Sequence, residues 1–202
     1  MAHAHDRDRV LTWPRLYDWS GRWCTLGARE RAMARGAELV AGFAPRAVLD
    51  VGSGTGALTF ALARRMPGCE VVGVEPSAAM ANHARARAAR LGLDVDLREG
   101  YAQDLPVADD AVDAVTISLA LHHVAEDRVP DALVEARRVL RPGGVLFVIE
   151  FSPVGRLARL LVGGHGPTVS DFAEHIRAAG FVDVREGRIT SRVLGFVSGV
   201  AE

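Results

Sequence analysis

The chain has 202 residues, 49% apolar and 24% charged, with a formal net charge of -1. That is the make-up of an ordinary globular protein with a sizeable core, and it argues against broad electrostatic attraction to nucleic acid. All 24 cationic side chains are arginine, and the absence of lysine excludes Schiff-base and pyridoxal-phosphate chemistry and a Walker-type phosphate loop.

Residues 1–26 open with His3, His5 and the mixed charges of Asp6 to Arg9, a solvated start. Trp13, Tyr17, Trp19 and Trp23 follow and include all three tryptophans of the chain. Two compatible readings stand: aromatic anchors packing a helix on the domain, or a lid over a ligand. The expected organisation is a partly disordered N-terminal lid segment over 1–26 and a main domain over 27–202. Cys24 and Cys69 form no Cys-x-x-Cys pair, and neither a membrane-length apolar run nor a secretory segment is present, so a cytoplasmic protein without integral membrane association is expected.

Met33, Ala37, Val40 and Ala41 recur at helical spacing opposite Arg29, Arg31, Arg35 and Glu38, which predicts a helix over 28–43 stopped by Gly42 and Pro45. From Arg46 onward, strands expected at 47–51, 70–75, 95–98, 112–118 and 144–150 alternate with helices at 57–66, 77–91 and 127–140. Ala47 to Val51 and Val145 to Ile149 are largely apolar on both faces, as central parallel strands require. The alternation implies a doubly wound α/β sheet. A further helix over 168–179, capped by Thr168 or Ser170, precedes two strands beginning at Phe181 and Leu194. Their connection is too short for a helical crossover, so the pair should be antiparallel, leaving one reversed strand at the edge of the sheet.

Ligands of such sheets bind beyond the carboxyl ends of the strands. After the first strand stands Asp50-Val-Gly52-Ser53-Gly54-Thr-Gly56, where bare backbone lets a nucleotide-type cofactor lie close. The spacing is Gly-x-Gly-x-Gly rather than the dinucleotide Gly-x-Gly-x-x-Gly, and a Tyr-x-x-x-Lys pair cannot exist without lysine, which disfavours an NAD-linked enzyme. Glu75 ends the second strand, where a carboxylate can accept from both ribose hydroxyls. The third loop carries Tyr101 and Ala102, and the fourth carries Ser118, His122 and His123.

Taken together, Val48 to Gly56, Glu75, Asp113-Ala-Val115 and Leu140-Arg-Pro-Gly-Gly144 resemble the motifs of class I S-adenosylmethionine-dependent methyltransferases, in order and over nearly the whole chain. The third and fourth loops are most similar to the ubiquinone/menaquinone-biosynthesis type and its small-molecule relatives. The resemblance implies a Rossmann-like, seven-stranded sheet, mostly parallel with the last strand antiparallel, and S-adenosyl-L-methionine as cofactor. It further implies that Gly52, Ser53, Gly54 and Gly56 receive the methionine portion, with Asp50 fixing the loop and the amino group. Glu75 would hold the ribose, Pro76 and Met80 would pack toward adenosine, and the Ala102 amide would meet adenine. The Ser118 backbone would face the amino group, and Tyr17 would lie near the methionine end.

One position departs from the family: Tyr101 stands where an aspartate usually accepts from the adenine amino group, with Gln103 or Asp104 close enough to compensate. His122 and His123 are the candidates for a general base, against the reading of a hydrogen-bonded loop pair. The fourth loop lacks an Asn/Asp-Pro-Pro-Tyr/Phe sequence, so nucleic acid is disfavoured and a small-molecule acceptor, apolar or aromatic, is expected. A non-catalytic binding or scaffold protein on the same fold is the alternative. Leu157, Leu160 and Leu161 with Arg156 and Arg159 form either a packed helical turn or a cover for an apolar substrate or lipid surface.

Overall fold

A computed structural model describes residues 28–152, 167–189 and 194–202. The elements are α1 (Ala28–Ala41), β1 (Ala47–Val51), α2 (Ala57–Arg65), β2 (Glu70–Glu75), α3 (Ala78–Leu91), β3 (Asp96–Glu99), β4 (Val112–Ser118), α4 (Val129–Val139), β5 (Leu140–Phe151), α5 (Val169–Ala178), β6 (Phe181–Arg188) and β7 (Leu194–Ala201). The N-terminal aromatic segment with Tyr17, and the Leu157 to Leu161 stretch, lie outside the described residues.

Seven strands form one sheet in the order β3-β2-β1-β4-β5-β7-β6. The first five are mutually parallel, and β7 runs antiparallel to both neighbours. The chain turns outward in opposite directions from β1, so the loops after β1 and β4 meet at the switch point where such sheets bind ligands.

The reversed strand is not at the edge, as the sequence suggested, but lies between β5 and β6. Burial explains the order. Along β7 Gly195, Val197, Ser198, Gly199 and Ala201 are buried, whereas β6 alternates and exposes Asp183, Arg185, Glu186 and Arg188. The more buried strand takes the interior position, and charged side chains protect the edge. A further difference is at β5, whose irregular start includes Leu140 to Gly144. Val112 pairs with Leu140 and the register then shifts to Ala114 against Val145.

Successive strand residues face opposite layers. Val48, Val71, Ala114, Phe147 and Ile149 pack with α1 and α2, while Leu49, Val72, Val115, Ile117, Leu146 and Val148 pack with α4 and α5. α3 joins the first layer through Ala84 and Ala88 against Phe60 and Leu97. At the amino ends of the strands Asp113 ties three elements together. Its Oδ2 accepts from the Arg46 and Ala47 amides at 2.8 and 3.0 Å, and its Oδ1 accepts from Arg141 at 2.6 Å. The family's Asp-x-Val signature therefore has a structural role here, opposite the ligand-binding end.

Candidate functional site

The glycine loop is held to the end of β2. Gly52 and Ser53 both donate to the Val74 carbonyl, at 2.8 and 3.0 Å, and Gly54 donates to Glu75 Oε2 at 2.9 Å. Gly52 (φ +70°) presses on the fourth loop, since a Cβ there would lie 2.5 Å from Ala120 Cβ. Gly56 (φ +84°) sets the first turn of α2, where a Cβ would fall 2.4 Å from the Phe60 ring. Both positions combine a left-handed backbone with contact that no side chain could share. At Gly54, also left-handed at φ +55°, a Cβ would meet nothing within 4 Å.

The loop borders a cleft of about 870 Å³, which is open to solvent. Of the residues expected from sequence, Gly52, Ser53, Gly54, Glu75, Pro76, Met80, Tyr101, Ala102, Ser118 and His123 line it. Asp50, Gly56 and His122 do not.

Asp50 is fully buried beneath the loop, and its oxygens accept from the hydroxyls of Thr59 (2.6 Å) and Thr116 (2.9 Å). Burial pushes its carboxyl up to about 6 against the lowering pull of those two hydroxyls. In this structure the side chain fastens β1 to α2 and β4.

Glu75 is 7% exposed. Its Oε1 accepts from the Ser77 amide at 3.0 Å and its Oε2 from Gly54, so each oxygen retains acceptor capacity. Burial raises its carboxyl above the ordinary value, opposed by those two amides. Ser77 also caps α3, its hydroxyl accepting from the Met80 amide at 3.4 Å. One short turn thus sets the carboxylate and buries Met80 in the cleft wall.

The third-loop wall comprises Tyr101, Ala102 and Gln103, whereas Asp104 is exposed and outside the lining. Gln103 is therefore the neighbour placed to supplement Tyr101. α4 holds the rest of this loop. Glu135 accepts from the Leu105 amide at 2.9 Å, and Arg138 donates to the carbonyls of Leu105 and Val107 and to Asp109.

After β4 a single helical turn carries Leu121, His122 and His123. His122 Nδ1 lies 3.1 and 2.9 Å from the two oxygens of Glu150, which is fully buried at the end of β5. Glu150 closes the strand expected over 144–150, but sequence reasoning could not pair it with His122. Arg29 was also missed as a site residue. Helical periodicity assigned it to a polar face, and the structure puts it in the cleft lining at the start of α1.

These groups fit S-adenosylmethionine. The buried, singly occupied oxygens of Glu75 match a vicinal diol, and Pro76, Met80 and Ala102 supply an apolar wall for a flat base. The open space at Gly54, in a cleft that Arg29 also lines, suits a compact group bearing a carboxylate. Among the described residues no cluster suited to a metal ion occurs, and no helix is long and apolar enough to cross a membrane.

Comparison with known proteins agrees with the geometry. A methyltransferase-domain family matches residues 48–144. A demethylmenaquinone methyltransferase of Thermus thermophilus is 42% identical over 68% of this chain, which spans 61% of that relative, less than two thirds of its length. A ubiquinone/menaquinone biosynthesis C-methyltransferase of Dinoroseobacter shibae is 36% identical, covering 77% of this chain and 75% of the relative. A SAM-dependent methyltransferase structure from Thermotoga maritima superposes with a TM-score of 0.70, covering 94% of this chain and 97% of that one, at 22% identity, a likeness of fold. The chain belongs to the class I S-adenosylmethionine-dependent methyltransferases, of the ubiquinone/menaquinone C-methyltransferase type.

Proposed function

We propose that this chain transfers the methyl group of S-adenosylmethionine to an apolar aromatic acceptor of the quinol class. The observation that carries the reading is the pairing of Glu75 with Gly54, which couples a buried diol acceptor to the glycine loop lining the same cleft. The acceptor class follows the relatives named for demethylmenaquinone and ubiquinone/menaquinone methylation.

When bound, the cofactor supplies an electrophilic methyl on a sulfonium. The chain's work is then mostly placement, which contributes on the order of 7–11 kcal/mol in favourable systems. Glu75 accepts from the ribose hydroxyls, the backbone of Gly52 to Gly54 supports the methionine portion, and Arg29 draws its carboxylate. The Ala102 amide and Tyr101 address the base, with Gln103 supplementing Tyr101.

A quinol reacts best after losing a proton, and the histidine turn places one acceptor, His123, in the cleft, with His122 held beside it as the second candidate. His122, donating Nδ1–H to Glu150, keeps Nε2 as its basic nitrogen. The segment before α1 is a lid in this reading, because it joins the domain next to Arg29 and carries all three tryptophans. A cytoplasmic location and a small-molecule rather than nucleic-acid acceptor complete the proposal.

The test is label transfer from methyl-labelled S-adenosylmethionine to a reduced demethylated naphthoquinol. The expected result is labelled product that disappears in Glu75→Ala. Cofactor binding without transfer to any quinol or other aromatic acceptor would favour the non-catalytic alternative.

A further inference from the structure

The layer formed by α1, α2 and α3 has a charge pattern that methyl transfer does not use. α2 and α3 together carry Arg64, Arg65, Arg85, Arg87 and Arg90 and no carboxylate, in a chain whose overall charge is -1. The other layer is mixed: α4 sets Asp131 and Glu135 against Arg137 and Arg138, and α5 sets Asp171 and Glu174 against Arg177.

Between the three helices runs an open groove of about 1730 Å³, lined by Arg29, Arg64, Arg65, Arg87, Arg90 and His83, with Glu30 as the one carboxylate among the described residues of its lining. Arg64, Arg65 and Arg90 are exposed, and beside Arg90 stands Leu91, 44% exposed. The groove adjoins the cofactor cleft, since Arg29 and Ala57 line both. Arg87 links the two as well: it donates to the Thr55 carbonyl of the glycine loop at 3.3 Å and lies over the Phe60 ring.

We propose that this groove is a docking surface for an anionic phospholipid bilayer, with the exposed Arg64, Arg65 and Arg90 on headgroup phosphates and Leu91 at the acyl boundary. Arginine suits the task because its planar guanidinium pairs with phosphate through two parallel hydrogen bonds and it is weakly hydrated. The inference rests on the reading of a quinol-class acceptor. A lipid-soluble quinol lives in the bilayer, and docking through a groove that shares Arg29 and Ala57 with the cleft sets the methyl-donor site near the membrane surface. The near-neutral chain lacks the overall positive field that would favour a nucleic acid, and the exposed leucine suits an acyl boundary rather than a phosphate-only ligand.

The test uses flotation of the full chain with vesicles of phosphatidylglycerol and phosphatidylcholine in equal parts, and with phosphatidylcholine alone. Binding to the anionic vesicles only, weakening as salt rises, is expected. Arg64→Gln, Arg65→Gln and Arg90→Gln combined should reduce that binding by about a hundredfold, taking about fivefold per arginine. A control with the same charge change on the remote edge, Arg177→Gln, Arg185→Gln and Arg188→Gln, should leave it near the parent value. Both triple variants should keep the melting shift given by S-adenosylhomocysteine, so a failure of vesicle binding is distinguishable from a failure of the methyltransferase reading. Equal binding to neutral vesicles, no binding to anionic ones, or an equal loss in the control would overturn the proposal. So would retention of single-stranded RNA by the groove arginines without vesicle binding.

Discussion

His122 Nδ1 sits 2.9 Å from Glu150 Oε2, joining a partly exposed ring on the fourth loop to a carboxylate that is fully buried at the end of β5. Removing the ring strands a buried carboxylate, which costs about 3 kcal/mol or more when a buried pair is broken. His122→Ala should therefore destabilise the fold by about that amount, and Glu150→Gln by less, because an amide accepts burial without a charge. The two substitutions should not add. A urea double-mutant cycle with a coupling of about 1 kcal/mol or more is expected for residues in direct contact, and additivity would refute the pairing.

The buried Asp50 predicts a pH dependence of opposite sign to that of a paired surface acid. Its folded value is raised from 3.8 to about 6, so its favourable contribution is complete below pH 3.8 and is lost as pH rises through about 6. Ionising it in place costs about 3 kcal/mol at neutral pH. Asp50→Asn keeps a group that can both donate to and accept from Thr59 and Thr116, and removes the charge. Compared with the parent in urea titrations, the variant should gain relative stability between pH 4 and 7; a constant difference over that range would show that Asp50 titrates normally.

Gly52 and Gly54 should separate folding from binding. Alanine at either meets a left-handed backbone, worth about 1–2 kcal/mol. At Gly52 it also meets Ala120 at 2.5 Å, so Gly52→Ala should lose clearly more stability than Gly54→Ala. The Cβ at Gly54 falls in open space beside the cleft, and its penalty should appear as weaker binding of S-adenosylhomocysteine in calorimetry.

Glu75→Gln retains the shape of the side chain and removes the charge that accepts from Gly54 and Ser77. Hydrogen bonds to charged groups contribute about 1.5–3 kcal/mol, so S-adenosylhomocysteine should bind at least about tenfold more weakly. Asp104→Ala, at an exposed position outside the cleft lining, should change the affinity little.

Much of the architecture is written in local pattern. Ala47–Val51, Glu70–Glu75 and Val112–Ser118 begin and end where their sequence predicts, because near-continuous apolar runs bounded by polar or glycine residues admit few other readings. Glu75 is legible for a similar reason, as an acid ending a strand just after a glycine loop. The position of β7 is not, since hairpin connectivity is the same whichever strand joins β5. Nor is the environment of Asp50: Thr116 is 66 residues away, and only the pairing of β1 with β4 brings its hydroxyl to the carboxylate. Arg29 is hidden for a third reason. Helical spacing shows which side of α1 is polar, but the packing of α1 against α2 decides that its first turn reaches the cleft.

The most direct measurement is the binding of S-adenosylhomocysteine and of NAD by the intact chain, read as melting temperature and by calorimetry. A ligand that binds only the folded state raises the melting temperature by mass action. Saturable binding of S-adenosylhomocysteine with a clear upward shift, greatly reduced in Glu75→Ala, and no shift with NAD is the expected outcome. No shift with S-adenosylhomocysteine, or a large shift with NAD, would contradict the assignment of this cleft.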